Sequence, residues 1–185
     1  MTQVQTDHPA GTLPGELMMW VLIISELLVF GAGLIAFMAV RLTDPAGFAE
    51  AQSHLNSTSA ALNTGVLVTS GYLAARALPW RMDRQRARAR IALVGAAALG
   101  VVFLIIKGAE YADKAADGIA WDTHPFFTFY YLLTGFHAAH VAAGVVLLLL
   151  VAWQDEPRNI EAGAQFWHMV DLVWVLLFPV IYLLG

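Results

Sequence analysis

The amino-acid sequence predicts an all-α integral membrane bundle of five transmembrane helices, and three observations carry that expectation. Of its 185 residues 59% are hydrophobic and only 13% charged, with a mean hydropathy of +0.65, whereas soluble domains are roughly half apolar and a quarter charged. Long stretches carry no charge, which a water-facing surface would need. Five apolar runs follow one another, near Leu17–Val40, Thr58–Leu78, Ile91–Ala109, Phe126–Trp153 and Ala162–Leu184. Each has about the 20 residues that cross a hydrocarbon core as a helix.

Residues 1–13 form a polar tail without the basic n-region or small-residue cleavage site of a secretory signal, so none is expected. Residues 14–185 make one membrane domain. Its helices are placed near 14–41, 57–79, 88–112, 124–153 and 160–184. Pro14, Ser57, Thr123 with Pro125, and Asn159 supply helix-start chemistry. Asp155-Glu156-Pro157 reads as a turn. Gly95, Gly100, Gly135, Ala139 and Gly144 in the third and fourth runs let helices approach closely, so these faces pack within the chain and leave an outward apolar face for a larger helical partner.

Basic residues set the expected topology. Arg76, Arg81, Arg84, Arg86, Arg88 and Arg90 crowd the second connection, and Arg158 lies in the fourth. Both connections are therefore expected in the cytoplasm. With an odd number of spans the N-terminus is cytoplasmic and Gly185 outside. The same arginines suit anionic lipid headgroups, and no nucleic-acid partner is expected. The absence of cysteine excludes disulfides, thiolate metal sites, iron–sulfur clusters and c-type heme attachment.

Glu26, His137, His140, His168 and Asp171 fall near the middle of their runs. A charge there costs at least about 2.5 to 3.5 kcal/mol, so these side chains should face the bundle interior and find partners. His137 and His140, and His168 and Asp171, are three apart and share helix faces. Three chemistries compete for them: a metal site, a proton-handling chain, and a structural hydrogen-bond network. The metal reading lacks the Glu-x-x-His repeat of bundle di-metal sites, and the structural network is favoured. Lys107 and Glu110, also three apart, are expected as a partly solvated outer-end pair of small energetic worth. His8, His54 and His124 fall in connections, where a solvated imidazole is the default.

Five segments in order then carry a family resemblance. They are Met18–Leu34, with Trp20, Ser25 and Glu26; Leu62–Tyr72; Ile106–Tyr111; Thr134–Gly144, reading Thr-Gly-x-His-x-x-His-Val; and Phe166–Leu183, with Trp-His-x-Val-Asp-x-x-Trp. The chain resembles the cytochrome c oxidase subunit III family over nearly its whole length, in a short form lacking the first two helices. The segments Phe126–His137 and Leu177–Leu183 are similar to the small proteins that accompany nitric oxide reductases.

That resemblance implies an accessory subunit of a heme-copper oxidase or nitric oxide reductase in a bacterial inner membrane. Such a subunit binds no heme, copper or other metal itself, has no active site of its own, holds structural phospholipid, and packs beside a heme-bearing subunit that carries the copper or non-heme iron. Glu26 would match the family's reactive carboxyl, tied to sustained proton uptake and stability. Two other functions remain open: an assembly factor for such an enzyme, and an independent small proton-coupled transporter, which lacks support from any inverted repeat or broken helix.

Overall fold

The computed structural model describes residues 17–184. The expected tail over 1–13, His8, the helix start at Pro14 and the terminal Gly185 lie outside the described residues. The chain forms α1 (Leu17–Arg41), α2 (Pro45–Ser53), α3 (Ser57–Met82), α4 (Arg86–Ala116), α5 (Pro125–Gln154) and α6 (Pro157–Phe178). Pro179 has no N–H to continue the α ladder, and the last helix runs on as a π turn over Pro179–Leu183.

Local chemistry starts these helices. The Asp44 carboxylate accepts from the Gly47 N–H at 3.1 Å ahead of Pro45, and Asn56 accepts from Ser59 N–H at 3.0 Å to open α3. His124 Nδ1 accepts from the Phe126 N–H at 3.1 Å, so this imidazole serves as the cap of α5. Its Nε2 lies 3.3 Å from Asp44 and joins the two helix starts.

Helices α3, α4, α5 and α6 form a closed ring, each packed on the next and α6 back on α3, while α1 lies outside against α5 and α6. Trp167 keys the ring together. A Cβ added at Gly100 of α4 or at Gly144 of α5 would stand 2.6 Å from its ring, so only glycine admits the indole there. Its Nε1 donates to Ser70 of α3 at 3.0 Å, and the Ser70 hydroxyl donates to the Ala96 carbonyl of α4 at 2.7 Å. Phe30 and Phe37 anchor α1, whose other side exposes Leu17, Val21, Ile24, Leu28 and Ile35.

Five transmembrane helices are not what the structure contains. Four helices among the described residues are long and apolar enough to cross a membrane: Leu17–Arg41, Arg86–Ala116, Pro125–Gln154 and Pro157–Leu183. The second run forms α3, which is long enough but too polar, with Ser57, Ser59, Asn63, Thr64, Thr69, Ser70 and Arg76 along it. Its polarity is used on its neighbours: Asn63 donates to the Phe103 carbonyl at 3.3 Å, and Thr64 accepts from Trp174 Nε1 at 2.9 Å. The odd-number argument that set the two termini on opposite sides falls with the fifth span.

Candidate functional site

The five intramembrane polar residues do not meet in one cluster. Glu26 of α1 and His140 of α5 form one pair, with Glu26 Oε2 3.2 Å from His140 Nε2. His140 Nδ1 lies 2.9 Å from the Phe136 carbonyl, which can only accept, so Nδ1 carries a proton. The contact to Glu26 then needs one further proton, held either on Nε2 or on the carboxyl. Glu26 Oε2 is out of solvent and lacks a well-aligned hydrogen bond, so the packing of α1 on α5 brings the two polar groups together without a directed bond in this geometry.

His137, one turn earlier, belongs elsewhere. It is 0% exposed, stacked on Trp174 with ring centroids 5.1 Å apart and edge-on to Phe103 at 5.6 Å. Neither ring nitrogen has a hydrogen-bond partner. His168 and Asp171 form a third site on α6, with Nδ1 and Oδ2 3.9 Å apart. They sit on Gly71 of α3, where a Cβ would stand 2.0 Å from Asp171 Oδ2. Among the described residues no three His, Asp or Glu side chains gather as a metal ligand set.

Lys107 and Glu110 are not the partly solvated outer-end pair that their spacing suggests. Their side chains are 2% and 7% exposed, with Nζ and Oε2 3.0 Å apart. Glu110 Oε1 also accepts from the hydroxyls of Tyr130 and Tyr182, both at 2.8 Å, and Lys107 donates to both of these hydroxyls. The ammonium lies over the rings of Tyr111, Tyr130, Trp174 and Tyr182, 4.8 Å from the Tyr130 centroid. Three hydrogen bonds on the carboxylate and an aromatic wall around the cation satisfy a pair that could not otherwise be buried. Sequence reasoning missed Tyr130 and Tyr182; the only available signal was the pair of tyrosines within apolar runs, which usually serve as interfacial anchors.

The arginine cluster divides into two sets. Arg81 Nε bonds Asp155 Oδ1 at 2.8 Å and the Asp155 carbonyl at 3.1 Å, and Arg90 donates to the Ala152 carbonyl at 3.0 Å. Both cations thus close the C-terminal end of α5, where carbonyls lack helical partners. Arg76 lies over the Trp80 ring at 5.0 Å. Arg84, Arg86 and Arg88 instead point outward; Arg86 is 71% exposed although it reaches Asp155 at 3.5 Å. His54 is exposed in the α2–α3 turn.

With this geometry in place, comparison with known proteins is decisive. The sequence profile described as cytochrome c oxidase subunit III matches residues 5–185. The chain belongs to the cytochrome c oxidase subunit III family. A cytochrome c oxidase subunit 3 of Synechocystis is 28% identical over 88% of this chain and 72% of its own length. One from Corynebacterium diphtheriae is 32% identical over 88% of this chain and 84% of its own, and one from Pyricularia grisea is 33% identical over 67% of this chain but 48% of its own. The chain thus spans about half the length of the fungal subunit III and most of the length of the bacterial ones.

The subunit III segments quoted above occupy three distinct places in the bundle. Glu26 and His140 lie in the α1–α5 seam, His168 and Asp171 in the α3–α6 seam, and the Ile106–Tyr111 segment supplies the buried Lys107–Glu110 pair. The Lys107–Glu110 pair is enclosed by tyrosines of neighbouring helices, whereas Glu26 Oε2 and Asp171 Oδ1 are buried without a hydrogen-bond partner.

Proposed function

We propose that this chain is a non-catalytic accessory subunit of a heme-copper terminal oxidase in a bacterial inner membrane. The observation that carries the reading is the subunit III family match over residues 5–185. His137, His140 and His168 face three different compartments of the bundle. Heme and copper, or heme and non-heme iron, reside in the partner subunit. The chain takes part in the respiratory chain by stabilising that subunit.

Two further roles belong to this reading. Arg84, Arg86 and Arg88 point outward at the end of the bundle and hold anionic phospholipid headgroups. The Glu26–His140 pair in the α1–α5 seam supports the lifetime or proton supply of the partner enzyme, not its chemical step. A nitric oxide reductase as the partner enzyme is favoured by the sequences Phe126–His137 and Leu177–Leu183 alone.

Purification in mild detergent through a tag on this chain tests the reading. Co-purification of a heme-bearing subunit supports it, and oxygen uptake against nitric oxide reduction by the purified complex separates the two partner enzymes. Complete activity of the complex without this chain in the finished enzyme would instead mark an assembly factor.

A further inference from the structure

His124 holds two helix starts at once. Pro125 has no N–H, so the Phe126 N–H is the first donor of α5, and it donates to His124 Nδ1 at 3.1 Å. A neutral imidazole that accepts at Nδ1 carries its proton on Nε2, which therefore donates to Asp44 Oδ2 at 3.3 Å. The other oxygen of Asp44 accepts from the Gly47 N–H and caps α2. The ring stands edge-on to Phe48 of α2, with centroids 5.3 Å apart, and its side chain is 26% exposed, so protons from solution reach it.

Only the neutral ring can make both bonds. A proton on Nδ1 would set one N–H against another at 3.1 Å, and it would add positive charge at a helix N-terminus, where the backbone dipole is itself positive. Asp44 acts in the opposite sense, because a carboxylate binds an imidazolium more strongly than a neutral ring. Arg41 ending α1, Glu50 on α2, Asp113, Lys114 and Asp117 in the last turns of α4, and Asp122 just ahead of the ring carry the other charges on the elements around it. Among the described residues none of these is in ion-pair contact with His124. Protonation therefore keeps the Asp44 contact and breaks the cap. The released turn leads inward: Phe126 packs edge-on against Phe37 and Phe48, 5.8 Å from each, and stacks on Tyr130, which donates to Glu110 of the buried pair.

We propose that His124 is a proton-sensitive latch at the end of the bundle remote from the arginines: neutral, it joins the starts of α2 and α5; protonated, it stays with Asp44 and lets go of the first turn of α5. The latch goes beyond the accessory-subunit reading and does not depend on it, because every group in it belongs to this chain. Helix α5 does not unwind when the latch opens, since the Phe127 and Thr128 N–H groups donate to the His124 carbonyl at 2.9 and 3.2 Å, bonds that leave the ring free to turn. What changes is the hold of α2 on the Phe126 side of α5. The Gly47 bond to Asp44 stays in place, which separates this event from titration of the carboxylate itself at lower pH.

Hydrogen exchange of the full chain in mild detergent tests the latch between about pH 8 and about pH 5, the interval in which imidazole changes charge. Rates are resolved at single amides and corrected for intrinsic exchange at each pH. Phe126 should lose protection by about fivefold across that interval, the equivalent of one helix cap, while Gly47 stays unchanged. His124→Asn supplies a side-chain oxygen that caps without titrating, and should keep Phe126 protected at both ends of the interval. His124→Ala should leave Phe126 unprotected at both. Equal protection of Phe126 at the two ends in the unmodified chain would overturn the proposal, whatever the variants do. An equal fall in His124→Asn would overturn it by assigning the titration to another group, and a His124→Ala protein as protected as the unmodified chain at the upper end would show that the ring is not the cap.

Discussion

Glu26 Oε2 and His140 Nε2 approach to 3.2 Å across the α1–α5 seam, while the other ring nitrogen of His140 is committed to the Phe136 carbonyl. Because Nδ1 holds a proton, any partner at position 26 must either accept from an imidazolium or donate to a neutral ring. Glu26→Gln can donate through its amide, so assembly and thermal stability should stay near wild type. Glu26→Ala leaves Nε2 without a partner, at a cost of about 1–3 kcal/mol, and should lower the melting temperature of the detergent-solubilised protein. Loss of stability in Gln equal to that in Ala would show that the charge, and not the hydrogen-bonding capacity, holds the seam. Loss of activity only during sustained turnover in Gln, with assembly intact, would assign the pair to proton supply.

Trp167 gives a packing prediction. Gly100→Ala places a methyl 2.6 Å from the indole and 2.7 Å from Val145, and overpacking of this kind costs about 1–3 kcal/mol. Gly108→Ala, where a Cβ meets nothing within 4 Å, should be neutral or stabilise the helix, by up to about 1 kcal/mol. Differential scanning fluorimetry of the two variants separates them, and a Gly100→Ala protein as stable as wild type would contradict the observed register of α4 on α6.

The buried pair predicts non-additivity. Lys107→Met leaves Glu110 as a buried carboxylate with two tyrosine donors but no cation, and Glu110→Gln leaves the ammonium without its counter-charge. Breaking a buried pair from either side costs about 3–5 kcal/mol, whereas removing both charges costs much less. The double variant should therefore unfold at a higher temperature than either single one. A double variant that loses the sum of the two would mean that the groups act independently.

At the opposite surface from the arginines, Asp44 gives a pH dependence. Its carboxyl is held below its ordinary value of 3.8, first by the Gly47 N–H and then by the His124 side chain. A depressed folded-state value stabilises the fold above about the ordinary value, and that contribution is lost as the pH falls through the folded-state value. The α2 and α5 starts should loosen together below about pH 4. Hydrogen exchange of Gly47 and Phe126 amides follows both, and the step should be absent in Asp44→Asn, which keeps the cap without titrating.

How much of this was legible beforehand differs from element to element. The first, third, fourth and fifth runs are visible because they are continuous and nearly uncharged, and each forms a long helix. The fifth-span error arose at α3, where run length was counted and the cost of Asn63, Thr64 and Ser70 was not; their hydrogen bonds to α4 and α6 are tertiary facts. The short α2 was readable in principle from Asp44-Pro45, a helix-start signal.

The candidate site was legible residue by residue but not as an arrangement. A spacing of three turns two side chains about 60° apart around a helix, which is enough to send His137 into the aromatic core and His140 into the seam with α1. Lys107 and Glu110 were visible as a pair, yet their burial depends on Tyr130 and Tyr182, 20 and 72 positions away from Glu110. Family motifs identify such residues without saying which helix faces them.

The most direct test of the central claim is a reduced-minus-oxidised absorption spectrum of material purified through this chain in mild detergent from native membranes, with total heme measured per chain. The account predicts heme bands in fixed proportion to this chain, retained in the His137→Ala, His140→Ala double variant to the extent that the variant assembles, because the heme belongs to the partner subunit. A stable, folded chain that repeatedly purifies without heme would contradict the claim.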